Sequence, residues 1–177
     1  MEIKAQLDKP YSEEQRLDFI TLYNHRLGYE IRETDEALEA WGYTEAEQLE
    51  QAKEAKYNEA NTKAHEYLDG GNALFEFEEG KHIEATDGNI AKMTAYALAY
   101  ITGQLQPTDT VVWNTKEDET VELNQEQIVL ILVGLGQVQA TVWAVKFPAY
   151  VQAIGEATTI EEVNAIIIDY TIESEEE

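Results

Sequence analysis

The sequence predicts an α+β fold that is mostly α-helical, with two short β-hairpins set between long helices. Apolar residues recur at the spacing of one helix face in several long segments. Two shorter segments alternate apolar and polar residues on either side of a turn. Apolar residues make up 44% of the 177-residue chain, which is enough to form the core of one domain, either alone or with an appendage.

The chain is strongly acidic along its whole length. Aspartate and glutamate number 36 against 12 lysines and arginines, giving a net charge of −24 that both halves share. This charge repels phosphate backbones and anionic lipids, so we expect neither nucleic acid nor a membrane as a partner. No signal-peptide pattern opens the chain, and no uninterrupted apolar run approaches the roughly 18 residues of a membrane span. The absence of cysteine excludes disulfides and thiolate chemistry.

Residues 1–43 are predicted to form an N-terminal docking segment. Ser12 and Gln15 have the spacing of a capping box, which predicts a helix that ends at Gly28. A short extended piece, Tyr29–Arg32, follows and leads to Ala37–Trp41.

The next segment, residues 44–69, is predicted to be an exposed linking helix. Thr44 and Glu47 form a second capping box, and Gly70 marks the stop. A narrow apolar stripe among Glu, Gln and Lys is typical of a helix that offers one face to a partner. The stripe consists of Leu49, Ala52, Ala60, Ala64 and Tyr67.

Residues 70–170 are predicted to form a C-terminal domain of helices and hairpins. The hairpins are expected at about 73–85 and 110–123, and helices at about 87–102, 124–155 and 159–168. We take Trp113, beside a polar hairpin tip, as an exposed anchor for a partner, together with Trp41, although core packing is the commoner role of tryptophan. The closing residues 171–177 are predicted to be a disordered acidic tail.

The longest predicted helix begins after Asn124, which caps it together with Gln127. Its apolar residues step by three and four, which is the pattern of a seam between two helices. Further apolar residues beside the seam indicate that the first half is buried on most sides, and Pro148 is expected to kink or break the helix. The seam comprises Ile128, Ile131, Leu135, Val138, Val142, Val145 and Ala149, and the residues beside it are Val129, Leu130, Leu132 and Val133.

The residues that carry catalytic or ligand chemistry are scarce and scattered. Gly134 and Gly136 resemble the start of a dinucleotide-binding turn, but Gln139 stands where a third small residue is needed. The seam favours a helix in which both glycines let another element pack closely. Two serines and three dispersed histidines supply no catalytic set, so we predict no catalytic residue, no cofactor and no metal site. Weak calcium binding on the acidic surface stays open.

Several motifs resemble an uncharacterised domain family found in small phage and prophage tail-cassette proteins. They are Asp69-Gly70-Gly71, Phe75-Glu76-Phe77, Val112-Trp113-Asn114-Thr115 and Ile154-Gly155-Glu156-Ala157-Thr158-Thr159. The segment Ala40–Glu47 is similar to short prophage tail proteins of the XkdW kind. The resemblance implies a structural or attachment role in a tail and brings no catalytic residues with it.

Our first hypothesis is therefore a non-enzymatic structural or attachment protein of a bacteriophage tail, associated with the tail fibre or the baseplate. It would bind other tail proteins, form a homo-oligomer, and reach the virion tail after assembly in the bacterial cytoplasm. Two alternatives remain: an acidic mimic of nucleic acid that inhibits a host DNA-binding protein, and a tail-fibre assembly helper. A small enzyme acting through carboxylates is a further, weaker hypothesis.

Overall fold

The computed structural model describes residues 1–172 and confirms a mostly helical α+β fold. Of the predicted acidic tail, Thr171 and Ile172 lie outside any helix or strand, and residues 173–177 lie outside the described residues. Two separate hydrophobic cores organise the chain. The small core contains only residues before position 41, and the large core contains only residues from position 60 onward.

The N-terminal residues form a folded unit instead of only a docking segment. Strands β1 (Glu2–Asp8), β2 (Glu30–Glu33) and β3 (Ala37–Gly42) form an antiparallel sheet with β3 in the centre. Helix α1 (Glu13–Ile20) begins at the predicted capping box and continues as a π-helical turn, Thr21–Arg26. Phe19 of α1 packs on Leu38 and Ala40 of β3. Strands β1 and β3 were not predicted.

Helix α2 (Glu45–Asp69) begins at the predicted Thr44 capping box but is not an exposed linker. Ala60, Ala64 and Leu68 are buried, because the helix packs along two helices near the C-terminal end of the same chain. Those helices are α5 (Phe147–Glu156) and α6 (Ile160–Ala165). Helix α2 is therefore part of the C-terminal domain.

Both predicted hairpins and the helix between them are present. The first hairpin pairs β4 (Leu74–Glu78) with β5 (Lys81–Glu84), the helix is α3 (Asp87–Ile101), and the second hairpin pairs β6 (Val111–Asn114) with β7 (Thr120–Leu123). Gly80 makes the first turn with a φ of +71°, a conformation that glycine adopts without strain. The two hairpins are joined, because the Lys116 backbone N–H donates to the His82 carbonyl at 2.9 Å.

The long helix runs from Gln125 to Glu156 without a break. It consists of α4 (Gln125–Ala140), a π-helical turn (Thr141–Lys146) and α5. The predicted break at Pro148 is wrong. Pro148 lies in the first turn of α5, directly after the wider π turn, where its missing N–H removes no regular helical hydrogen bond. The last helix, α6, begins after Thr159 and ends at Ala165, earlier than predicted.

Candidate functional site

The predicted seam of the long helix lies inside the chain's own core. Five seam residues from α4 and the π turn are at most 9% exposed, whereas Val145 is 63% exposed. The π turn adds backbone to one helical turn and so shifts the phase of the helix, with the result that Phe147 and Tyr150 pack against the core whereas Val145 faces solvent. These five seam residues therefore contact other elements of this chain and are not available to a partner helix. The buried residues are Ile128, Ile131, Leu135, Val138 and Val142.

The opposite side of the same helix faces solvent, although it is largely apolar. Val129, Leu130 and Val133 are 48%, 50% and 54% exposed. The expectation that the first half of the helix is buried on most sides is therefore wrong. We call the exposed residues between Glu126 and Lys146 the outer face. They are Val129, Leu130, Val133, Gly136, Gln137, Ala140, Ala144 and Val145.

The outer face carries no charge. Between Glu126 and Lys146 no residue is ionisable, although 27% of the chain is charged and the net charge is −24. A run of exposed apolar residues of this length on one helix marks a contact surface more often than a solvated one. This face is the strongest candidate for a functional site in residues 1–172.

The long helix also has the length and composition of a membrane-spanning segment, and within residues 1–172 it is the one helix that does. A bilayer core excludes unpaired polar and charged groups. Gln139, near the middle of the helix, donates to the Ala85 carbonyl and, at 2.9 Å, to the carboxylate of Asp87. A spanning position would draw this carboxylate into hydrocarbon, so the fold favours a helix that lies on a globular domain.

The residues predicted to bind a partner do not form one surface. Ala60 and Ala64 lie in the core, and Tyr67 is half-buried against it. Leu49 and Ala52 are half-buried, and Leu49 lines a groove of about 600 Å³ between α2 and the start of α6. The stripe packs against α5 and α6 of the same chain. The prediction that it is exposed to a partner is therefore wrong for its central residues, Ala60 and Ala64.

The two candidate tryptophans lie in different sheets. Trp113 is 9% exposed and packs in the large core, with the Lys92 ammonium 5.7 Å from its ring centre. The prediction of an exposed anchor at Trp113 is therefore wrong. Trp41 is half-buried in the N-terminal sheet, where Arg32 stacks 4.6 Å from its ring centre and its indole N–H donates to Glu39. Trp41 as a partner contact stays a prediction.

The ionisable groups with strongly altered pKa values hold the fold together. Hydrogen bonds from the backbone N–H and the ring of His82 lower the pKa of Glu117 to about 2. Burial raises the pKa of Tyr170 to about 12, and its hydroxyl donates to the Ala60 carbonyl at 3.1 Å. Both contacts join distant parts of the chain. Within residues 1–172 no three His, Asp or Glu side chains are grouped so that they could hold a metal ion.

The comparisons with known proteins give one match. Residues 51–171 match a protein family described as a domain of unknown function, DUF4376. No curated protein and no solved structure matches the chain. The match begins within α2, at residue 51, and leaves out the N-terminal sheet, in keeping with the two cores. It says nothing of phage tails or of XkdW-like proteins, so both resemblances stay predictions. Since the match spans well over half of the chain, the protein belongs to the DUF4376 family.

Proposed function

We propose that the chain is a non-enzymatic structural protein that attaches to other proteins, and that it serves in a bacteriophage tail, at the fibre or the baseplate. One observation carries the attachment role, namely the uncharged outer face of the long helix. Half-exposed valine and leucine side chains on a strongly acidic protein gain free energy when a partner removes them from water.

The rest of the fold supports a rigid scaffold. The large core holds α2 to α5 and both hairpins together, and α6 packs on α2. The hairpins are joined by backbone and carboxylate hydrogen bonds. The N-terminal sheet has its own core outside the family domain, so it offers a second, independent attachment unit. The tail setting itself rests on the resemblance of the hairpin and helix motifs.

The outer face also favours attachment over mimicry of nucleic acid. A mimic presents carboxylates to a basic enzyme, whereas the outer face presents none. Loss of binding in added salt would be the mark of a mimic, because screening weakens contacts between opposite charges.

The test is to purify particles of the phage that encodes the chain and to quantify the protein against the major tail protein. We expect a fixed number of copies per particle. We expect Val133→Lys on the outer face to lower this number, and Val112→Lys, at a strand valine of similar exposure, to leave it unchanged. Presence in assembly intermediates alone would identify an assembly helper. Absence from both particles and intermediates would overturn the proposed function.

A further inference from the structure

We propose that the outer face binds the outer face of a second copy of this chain, with the two long helices antiparallel about a two-fold axis near Gln137. The inference rests on the proposed function only in taking the outer face as a contact surface. It adds the identity of the partner.

Charge favours a second copy as the occupant. Each chain carries a net charge of −24, so two copies repel each other wherever carboxylates meet carboxylates. The outer faces bring together surfaces with no ionisable residue between Glu126 and Lys146. Each copy thus supplies the apolar, uncharged surface that the other requires, as in a two-fold symmetric interface.

The charges at the two ends of the outer face favour the antiparallel arrangement. Glu126 lies at one end and Lys146 at the other. An antiparallel pair brings the Glu126 end of each helix to the Lys146 end of its partner, whereas a parallel pair would place the two glutamates together. The ammonium of Lys146 already donates to the Thr171 carbonyl, so it contributes a nearby positive charge and not a new ion pair.

The overlapping part of the two helices is long enough for a weak interface. With the two-fold axis near Gln137, residues 125–149 of each helix lie side by side over about 37 Å, so two helices about 10 Å wide bury on the order of 750 Å². This area is typical of weak, transient association and not of permanent complexes. We therefore expect a reversible dimer whose population depends on protein concentration, not a permanent one.

The first experiment measures the mass of the full chain by light scattering over a range of protein and salt concentrations. We expect the mass to rise from one to two chains with concentration, and the dimer to become tighter in salt, because salt screens the repulsion between the acidic bodies. Val133→Lys and Val145→Lys should each keep the chain monomeric, because each places an ammonium in the apolar contact, although the lower net negative charge would by itself favour association. The control variant Val112→Lys makes the same change in charge outside the contact and should dimerise like the original chain.

The second experiment uses the absence of cysteine in the chain to test the orientation. Val129 and Val145 are equally distant in sequence from Gln137. Chains with Val129→Cys should therefore form disulfides with chains that carry Val145→Cys. Disulfides between two Val129→Cys chains, or between two Val145→Cys chains, should form far less. Circular dichroism checks that each variant keeps its helix content.

Four results would overturn the inference. The first two are a monomer under every condition, and equal effects of Val133→Lys and Val112→Lys on dimerisation. The other two are preferential disulfides between two Val129→Cys chains, and binding to phosphatidylcholine vesicles that depends on Val133. A monomer that still enters phage particles would overturn this inference and leave the proposed function intact. A dimer that is missing from particles and assembly intermediates would overturn the proposed function and leave this inference intact.

Discussion

The ring of Phe75 in β4 lies directly against Gly134 of α4, where a Cβ would overlap the ring atoms. Gly136, two residues further along the helix, has open space where its Cβ would be. The sequence suggested that both glycines allow close packing, and the structure confirms this for Gly134 only. The two glycines therefore form a matched pair for a test of how β4 packs on the long helix.

We expect Gly134→Ala to destabilise the fold and Gly136→Ala to stabilise it. Overpacking costs roughly 1–3 kcal/mol, and the better helix propensity of alanine offsets about 1 kcal/mol of that cost. At Gly136 there is no overpacking cost, so the better helix propensity should raise the free energy of unfolding by roughly 0.5–1 kcal/mol. Urea denaturation at a concentration where the chain is monomeric measures both changes. Equal effects at the two positions would show that Phe75 does not pack on Gly134.

The two sides of the long helix should respond differently to the same truncation. Leu135 is fully buried, whereas Leu130 is 50% exposed. We expect Leu135→Ala to lower the free energy of unfolding by about 2–5 kcal/mol, because it leaves a cavity in the core. Leu130→Ala should change it by less than about 1 kcal/mol. Similar losses for both variants would contradict the assignment of the inner and outer sides.

Glu117 should contribute to stability at neutral pH and lose that contribution in acid. Its carboxylate accepts hydrogen bonds from the His82 backbone N–H at 3.1 Å and from the His82 ring nitrogen Nδ1 at 2.8 Å, and its pKa is lowered to about 2. A lowered pKa in the folded state gives stability that is fully present above the unfolded pKa of about 4.3 and disappears as the pH falls toward 2.

The measurement compares the denaturation midpoints of the original chain and Glu117→Gln as a function of pH. The variant should be the less stable at pH 7, and the difference should shrink below about pH 4.3. A difference that is constant across this range would mean that the carboxylate is not held by His82.

Removal of residues 1–43 should leave the family domain folded. The large core contains no residue before Ala60, and the family match begins at residue 51. We expect the shortened chain to keep a cooperative thermal transition, followed by circular dichroism at 222 nm as a general helix signal. A broad or absent transition would show that the N-terminal sheet is needed for the larger core.

Local signals in the sequence predicted much of the fold. The capping boxes at Ser12, Thr44 and Asn124 were each confirmed, because a cap depends on side chains three residues apart. Strand β3 was missed because its alanine, leucine and glutamate residues favour a helix in isolation. Its pairing with β1 joins the distant residues Glu2 and Gly42 and overrides that local preference.

The candidate site was harder to predict, because a helix that is apolar on several sides does not reveal which side faces the core. The π turn that rotates Val145 outward has no clear sequence signal either. One signal was available, namely the absence of charged residues between Glu126 and Lys146 in a chain that is 27% charged. A helix with no charged residue on any side cannot have an ordinary solvated face.

The most direct test of the outer face as a contact surface is the alkylation rate of a single thiol placed on it. Val133→Cys and Val112→Cys introduce thiols at positions of similar exposure, on the outer face and on β6 respectively. As the protein concentration rises, we expect the alkylation rate of the thiol at position 133 to fall and that of the thiol at position 112 to stay constant. Rates that are independent of concentration at both positions would contradict self-association through the outer face.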